Sequence, residues 1–95
     1  MHTTATDTIA LISAASAITG ITKTLIHSNE RASNVLPIRY IIFALLIERG
    51  HGPTAIATAF LRTKSQIQWG IKKHQNYLVY PTHAKLTSDI RNKAQ

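Results

Sequence analysis

The sequence predicts an all-α fold, a small bundle of five or six helices that contains a helix-turn-helix. Two observations carry that prediction. Apolar residues recur at helical spacing along most of the chain. Gly20, Gly50, the Gly52-Pro53 pair and Pro81 punctuate those runs where helices stop and start. The 95 residues make one domain, near the size at which a single core is marginal. Apolar residues are 44% of the chain, enough for a core, and cysteine is absent, so helix packing has to supply the stability.

Asp7 suits the N-cap of a first helix. Ile9, Ile12 and then Ser16 or Ala17 run along one of its faces. Ala14, Ala15 and Ala17 permit another helix to approach closely, and Gly20 supplies a stop. "ITKTLIHS" reads as a short turn of helix, and "NERASNVLP" as a polar loop that breaks at Pro37. "IRYIIFALLIERG" is apolar on all sides, through Tyr40, Ile41, Ile42, Phe43, Leu45, Leu46 and Ile47. Such a helix belongs at the centre of a bundle. Its Ile and Tyr residues also suit a strand, but its length and its "ALLIER" ending favour helix, with Gly50 as the stop.

Pro53 opens the next helix, whose Ile56, Ala57 and Phe60 share a face. Thr63 is placed to cap the helix after it, where Ile67, Ile71, His74 and Leu78 form one apolar stripe. That helix is expected from about Lys64 to Leu78, ending before Pro81. A last helix is expected from Thr82 to about Asn92, with Leu86 and Ile90 facing inward.

Charge narrows the partner. The net charge is +7, and residues 61–95 carry +6 of it, with seven basic residues against Asp89 alone. A basic patch on a small domain points to a polyanion, nucleic acid or an anionic membrane. The two candidates for a membrane segment, the uncharged Thr8 to Thr22 and the more apolar Tyr40 to Ile47, are 15 and 8 residues long. Both fall short of the roughly 18–20 residues that a membrane span needs. The first also lacks the preceding Lys or Arg of a signal peptide and follows Asp7 instead.

Enzyme chemistry is not expected. Four carboxylates offer no paired acid and base, and no Gly-rich phosphate loop is present. The five histidines (His2, His27, His51, His74, His83) include no i,i+4 or H-x-H pair, so neither metal nor other cofactor is expected, and His74 reads as a core residue.

The "GPTAIATAFLRTKSQIQWGIKK" stretch meets the steric demands of a helix-turn-helix. Ile56, small Ala57, Phe60 and β-branched Ile67 stand at the usual offsets, although the turn has Leu61 where glycine is common. Lys64, Ser65, Gln66, Gln68, Lys72 and Lys73 lie off the apolar stripe, mostly in the first turns of the second helix. Those turns enter the major groove in this motif, where Lys pairs with guanine and Gln with adenine. Trp69 is placed either against the sugar-phosphate backbone or as a cover for the core. Arg31 and Arg49 read as surface charges.

Successive segments read "AITGIT", "LIHSNERASNV", "IRYIIFALLIERG", "PTAIATAFL" and "RTKSQIQWGIKK". In order and spacing, one residue short at the turn, they resemble the C-terminal DNA-binding domain of the bacterial replication initiator DnaA, a domain of the Trp-repressor-like class. The resemblance runs from about Thr8 to Leu78. It implies that Arg39 reaches the minor groove and that Thr54 opens its helix against the backbone. It also implies that Arg62 and Ser65 keep two positions of the family signature "R-D-H-[ST]-T-V-x-H-A-x-x-K", with Lys73 at its basic position.

The signature's base-reading Asp-His pair is Thr63-Lys64 here, its following Thr is Gln66, and its later His is Trp69. The resemblance therefore implies a DNA-facing surface without the initiator's own recognition sequence. Nor do 95 residues leave room for a nucleotide-hydrolysing domain. The expected protein is a freestanding double-stranded-DNA binder that regulates replication or transcription, in the cytoplasm of a bacterial or phage-infected cell. Against it stands a helical adaptor that keeps the fold, has lost DNA binding and presents Trp69 to a protein partner. RNA binding ranks third.

Overall fold

The computed structural model describes residues 3–95, all in helices and the turns between them. The helices are α1 (Thr4–Thr19), α2 (Lys23–His27), α3 (Leu36–Glu48), α4 (Pro53–Phe60), α5 (Lys64–Tyr77) and α6 (Pro81–Lys93). No helix among the described residues is long and apolar enough to cross a membrane.

α3 is the axis, and it packs against each of the other five helices. Its apolar residues on every side give it that place. Ile38, Tyr40, Ile41, Ile42, Phe43, Leu45 and Leu46 are all buried. Burying such a side chain contributes roughly 1.5–3 kcal/mol. Pro37 does not break the chain here. It sits in the first turn of α3, where its missing N–H costs nothing.

α1 begins earlier than its sequence suggests. Thr3, not Asp7, is the N-cap, and its hydroxyl accepts the N–H of Thr6 at 3.0 Å. Asp7 points inward instead. Its carboxylate accepts from Nη1 of Arg49 at 2.9 Å and from Nε2 of His51 at 2.6 Å. Arg49 is therefore no surface charge, and it also donates to the carbonyl of Ala94 at 3.1 Å. Turning Asp7 into the protein fixes the rotation of α1. Thr8, Leu11, Ile12 and Ala15 face the core, while Ile9 stands 66% exposed.

Two Schellman turns close the helices that flank the site. At the end of α3, His51 N–H bonds to Leu46 O and Gly50 N–H to Ile47 O, with Gly50 at φ 95°. This turn delivers His51 to Asp7. At the end of α4, Arg62 N–H bonds to Ala57 O and Leu61 N–H to Thr58 O. Here Leu61 takes the left-handed position, φ 55° and ψ 47°, which costs a non-glycine residue roughly 1–2 kcal/mol. The turn thus keeps the glycine conformation without the glycine.

α4, residues 61–63 and α5 form the helix-turn-helix, with Ile56, Ala57, Phe60 and Ile67 all buried at its crossing. α5 then crosses α3 at Gly70. A Cβ there would lie 2.9 Å from ring carbons of both Tyr40 and Phe43, so only glycine permits this approach. The α5 stripe ends sooner than expected. His74 is buried, but Leu78 caps the helix and is exposed. α6 turns Ile90 and His83 inward, and Arg91 reaches Glu48 at the end of α3 through two bonds of 2.8 and 3.0 Å.

Candidate nucleic-acid interface

Two features aim α5. Gly70 sets its depth against α3, and a capping box sets its start. The Thr63 hydroxyl accepts the N–H of Gln66 at 3.1 Å, while Gln66 Oε1 accepts the N–H of Thr63 at 2.8 Å. The cap falls at Thr63, as the sequence predicts, and Gln66 is drawn into it. With Oε1 already accepting the Thr63 N–H, a two-bond contact from Gln66 to adenine has to share or break that bond.

The first turn of α5 carries Lys64 and no acid. Acids are favoured there, because the helix dipole is positive at its N-terminus, so Lys64 adds charge of the same sign. Lys64, Ser65, Gln68, Trp69 and Lys72 are exposed on α5, and Thr54 is exposed on α4. Lys73 is half-buried, with its ammonium 5.0 Å from the centre of the Trp69 ring. Trp69 divides between two roles. It meets Tyr40 edge-on at 5.9 Å, yet 51% of it remains exposed.

The arginines are placed differently from expectation. Arg39 is 1% exposed, and it cannot reach a DNA groove. Its Nε donates to Ile26 O at 2.8 Å, Nη1 to Glu30 O, and Nη2 to Leu25 O at 2.8 Å and Ser28 Oγ at 3.2 Å. It is the clamp that ties α2 and its loop to α3. Arg62 is also turned inward. Its Nη2 donates to Ser28 O at 2.6 Å, and its Nε is enclosed with no acceptor. Burial pushes both guanidiniums below the ordinary arginine value, and crowding adds to it, from Arg62 on Arg39 and from Arg31 on Arg62.

A cleft of about 290 Å³ lies beside this cluster, between α3 and the start of α5. Sequence reasoning did not find it. Its walls come from three separate segments, and no spacing within one segment signals them.

The histidines are spoken for. His27 bonds to Ala59 O at 2.8 Å and stacks on Phe60, His51 meets Asp7, and His74 Nδ1 lies 2.9 Å from His83 Nε2. His2 lies outside the described residues. No cluster of three or more His, Asp or Glu forms among the described residues. Comparison with family models, with curated proteins and with solved structures finds no match.

Proposed function

We propose that the chain binds double-stranded DNA through α5, as a small regulator of replication or transcription. The observation that supports this most is the exposed face of α5. Lys64, Lys72 and Lys73 have no carboxylate partner among the described residues, while the carboxylates of Asp7, Glu48 and Asp89 are all paired elsewhere. Ser65 and Gln68 stand between the lysines, with donors and acceptors turned to solvent. A face of this kind suits phosphate contacts with limited base reading. The resemblance to the DnaA C-terminal domain supports the same reading.

Fluorescence anisotropy with a duplex of about 20 base pairs tests it, at about 50 and 200 mM salt. Wild type is expected to bind, with a slope of log K against log salt of roughly −5 for six phosphate contacts. Lys64→Ala/Lys72→Ala/Lys73→Ala, folded by circular dichroism, is expected to lose binding. Equal binding by wild type and the triple variant, or no binding at the lower salt, rejects the proposal.

Exposed apolar side chains favour a second reading, that of a protein-interaction adaptor. Leu61 is 79% exposed beside the half-exposed Trp69. An adaptor contact made by such groups would respond much less to salt than a DNA contact.

A further inference from the structure

The cleft between α3 and α5 has a chemistry that the exposed α5 face lacks. Leu36, Tyr40, Phe43 and Trp69 form an apolar and mostly aromatic wall, and Arg31 and Arg62 supply charge at its edge. Arg31 and Arg62 pair with no carboxylate among the described residues, and the Nε of Arg62 is buried without an acceptor. A buried, unpaired donor on a cation is costly, and an anion entering the cleft relieves it once the guanidinium turns outward, exchanging its bond to Ser28 O for charged acceptors. Leu36 is the first residue of α3, and Ser65 lies in the first turn of α5. Two positive helix ends therefore flank the same opening.

The shape and the charge together select the ligand. An inorganic anion would leave the aromatic wall unused, and a neutral ring would leave the arginines unsatisfied. A planar ring that carries an anion satisfies both. We infer that the cleft takes one nucleotide unit, with its base against Tyr40, Phe43 and Trp69 and its phosphate at Arg31 and Arg62. Aromatic side chains accept any base face, and arginine binds phosphate through its planar fork. The unit comes either from a free mononucleotide or from an unpaired stretch of strand. A base inside a duplex is not available, so this site is distinct from duplex binding by α5.

Trp69 is the only tryptophan in the chain and lines the cleft, so its fluorescence reports occupancy directly. The test titrates deoxyadenosine monophosphate up to about 10 mM at constant ionic strength. Parallel titrations use inorganic phosphate, deoxyadenosine, and a single strand of about five nucleotides. The expected result is a saturable change with the mononucleotide, at least roughly tenfold tighter than with phosphate or with the nucleoside.

Arg31 is exposed, so Arg31→Gln leaves the core intact and is expected to weaken binding roughly tenfold. Tighter binding of the single strand than of the mononucleotide assigns the site to unpaired strand. Equal binding assigns it to the free nucleotide. No saturable change, equal response to phosphate alone, or an unaltered Arg31→Gln each overturns the inference. No duplex enters these titrations, so this site and the α5 reading can fail independently.

Discussion

The two ends of α3 handle charge in opposite ways. At its C-terminal end, Glu48 pairs with Arg91, and Asp7 pairs with Arg49 and His51. The negative end of the helix dipole favours the cations gathered there. At its N-terminal end, Arg31, Arg39 and Arg62 crowd together, and none forms an ion pair among the described residues. Arg39 is compensated by backbone carbonyls instead of carboxylates. The first end is complete within the chain, and it holds α1, α3 and α6 together. The second keeps surplus positive charge beside an open cleft and the exposed lysines of α5. Cations that hold this fold together can thus be told from cations that it leaves unpaired by the acceptors around them.

The strongest challenge to that contrast is Arg39→Leu. It strips the carbonyls of Leu25, Ile26 and Glu30 of their shared donor. Urea unfolding is expected to show a loss of about 3–5 kcal/mol, and a loss below about 1 kcal/mol would mean that Arg39 is no clamp.

Acid comes next. Burial, then the neighbouring His83, pushes His74 down to about 4, and burial lowers His83 as well. The unfolded chain takes up these protons near pH 6.5, before the folded one does. The contribution is therefore present above about pH 6.5 and drains away as pH falls toward 4, by about 3 kcal/mol for His74. Urea midpoints across that window check it, and His74→Asn is expected to flatten the slope.

Asp7→Asn has a somewhat smaller effect, about 2 kcal/mol by the same unfolding measurement, because the Arg49 it releases is still partly reached by water. The smallest effect falls on the other side of the contrast. Lys64→Ala/Lys72→Ala/Lys73→Ala is expected to change stability by less than about 0.5 kcal/mol, since these groups carry no ion pair among the described residues. A large loss in a thermal melt would show that the lysines belong to the structure after all.

Much of the fold was legible because helices are written locally. The apolar run from Tyr40 to Ile47, the cap at Thr63, the stop at Gly20 and the inward Ile90 all follow from spacing within a single helix. The exposed face of α5 was legible for the same reason, as the positions off the Ile67 stripe. What spacing does not encode is which distant group a polar side chain will meet. Arg39 reads as a basic residue opening a helix, until α2 packs against it and offers two carbonyls, with a third from Glu30 in the loop that follows. Asp7 reads as a cap until Arg49 and His51, more than forty residues away, arrive beside it. Gly70 did carry a local signal, a glycine inside a helical pattern, but its reason lies in the rings of Tyr40 and Phe43 on another helix.

The central position of α3 sets how the molecule can come apart. Since it packs against all five other helices, none can leave without baring part of it to water. Its amide hydrogens should exchange only when the whole chain opens, at the slowest rate in the molecule. The middle of α5 rests on the same helix through Gly70. A peptide cut to span α4 and α5 alone would lose the surface that sets their crossing. Its helices, at 8 and 14 residues, are too short to persist in water without that support.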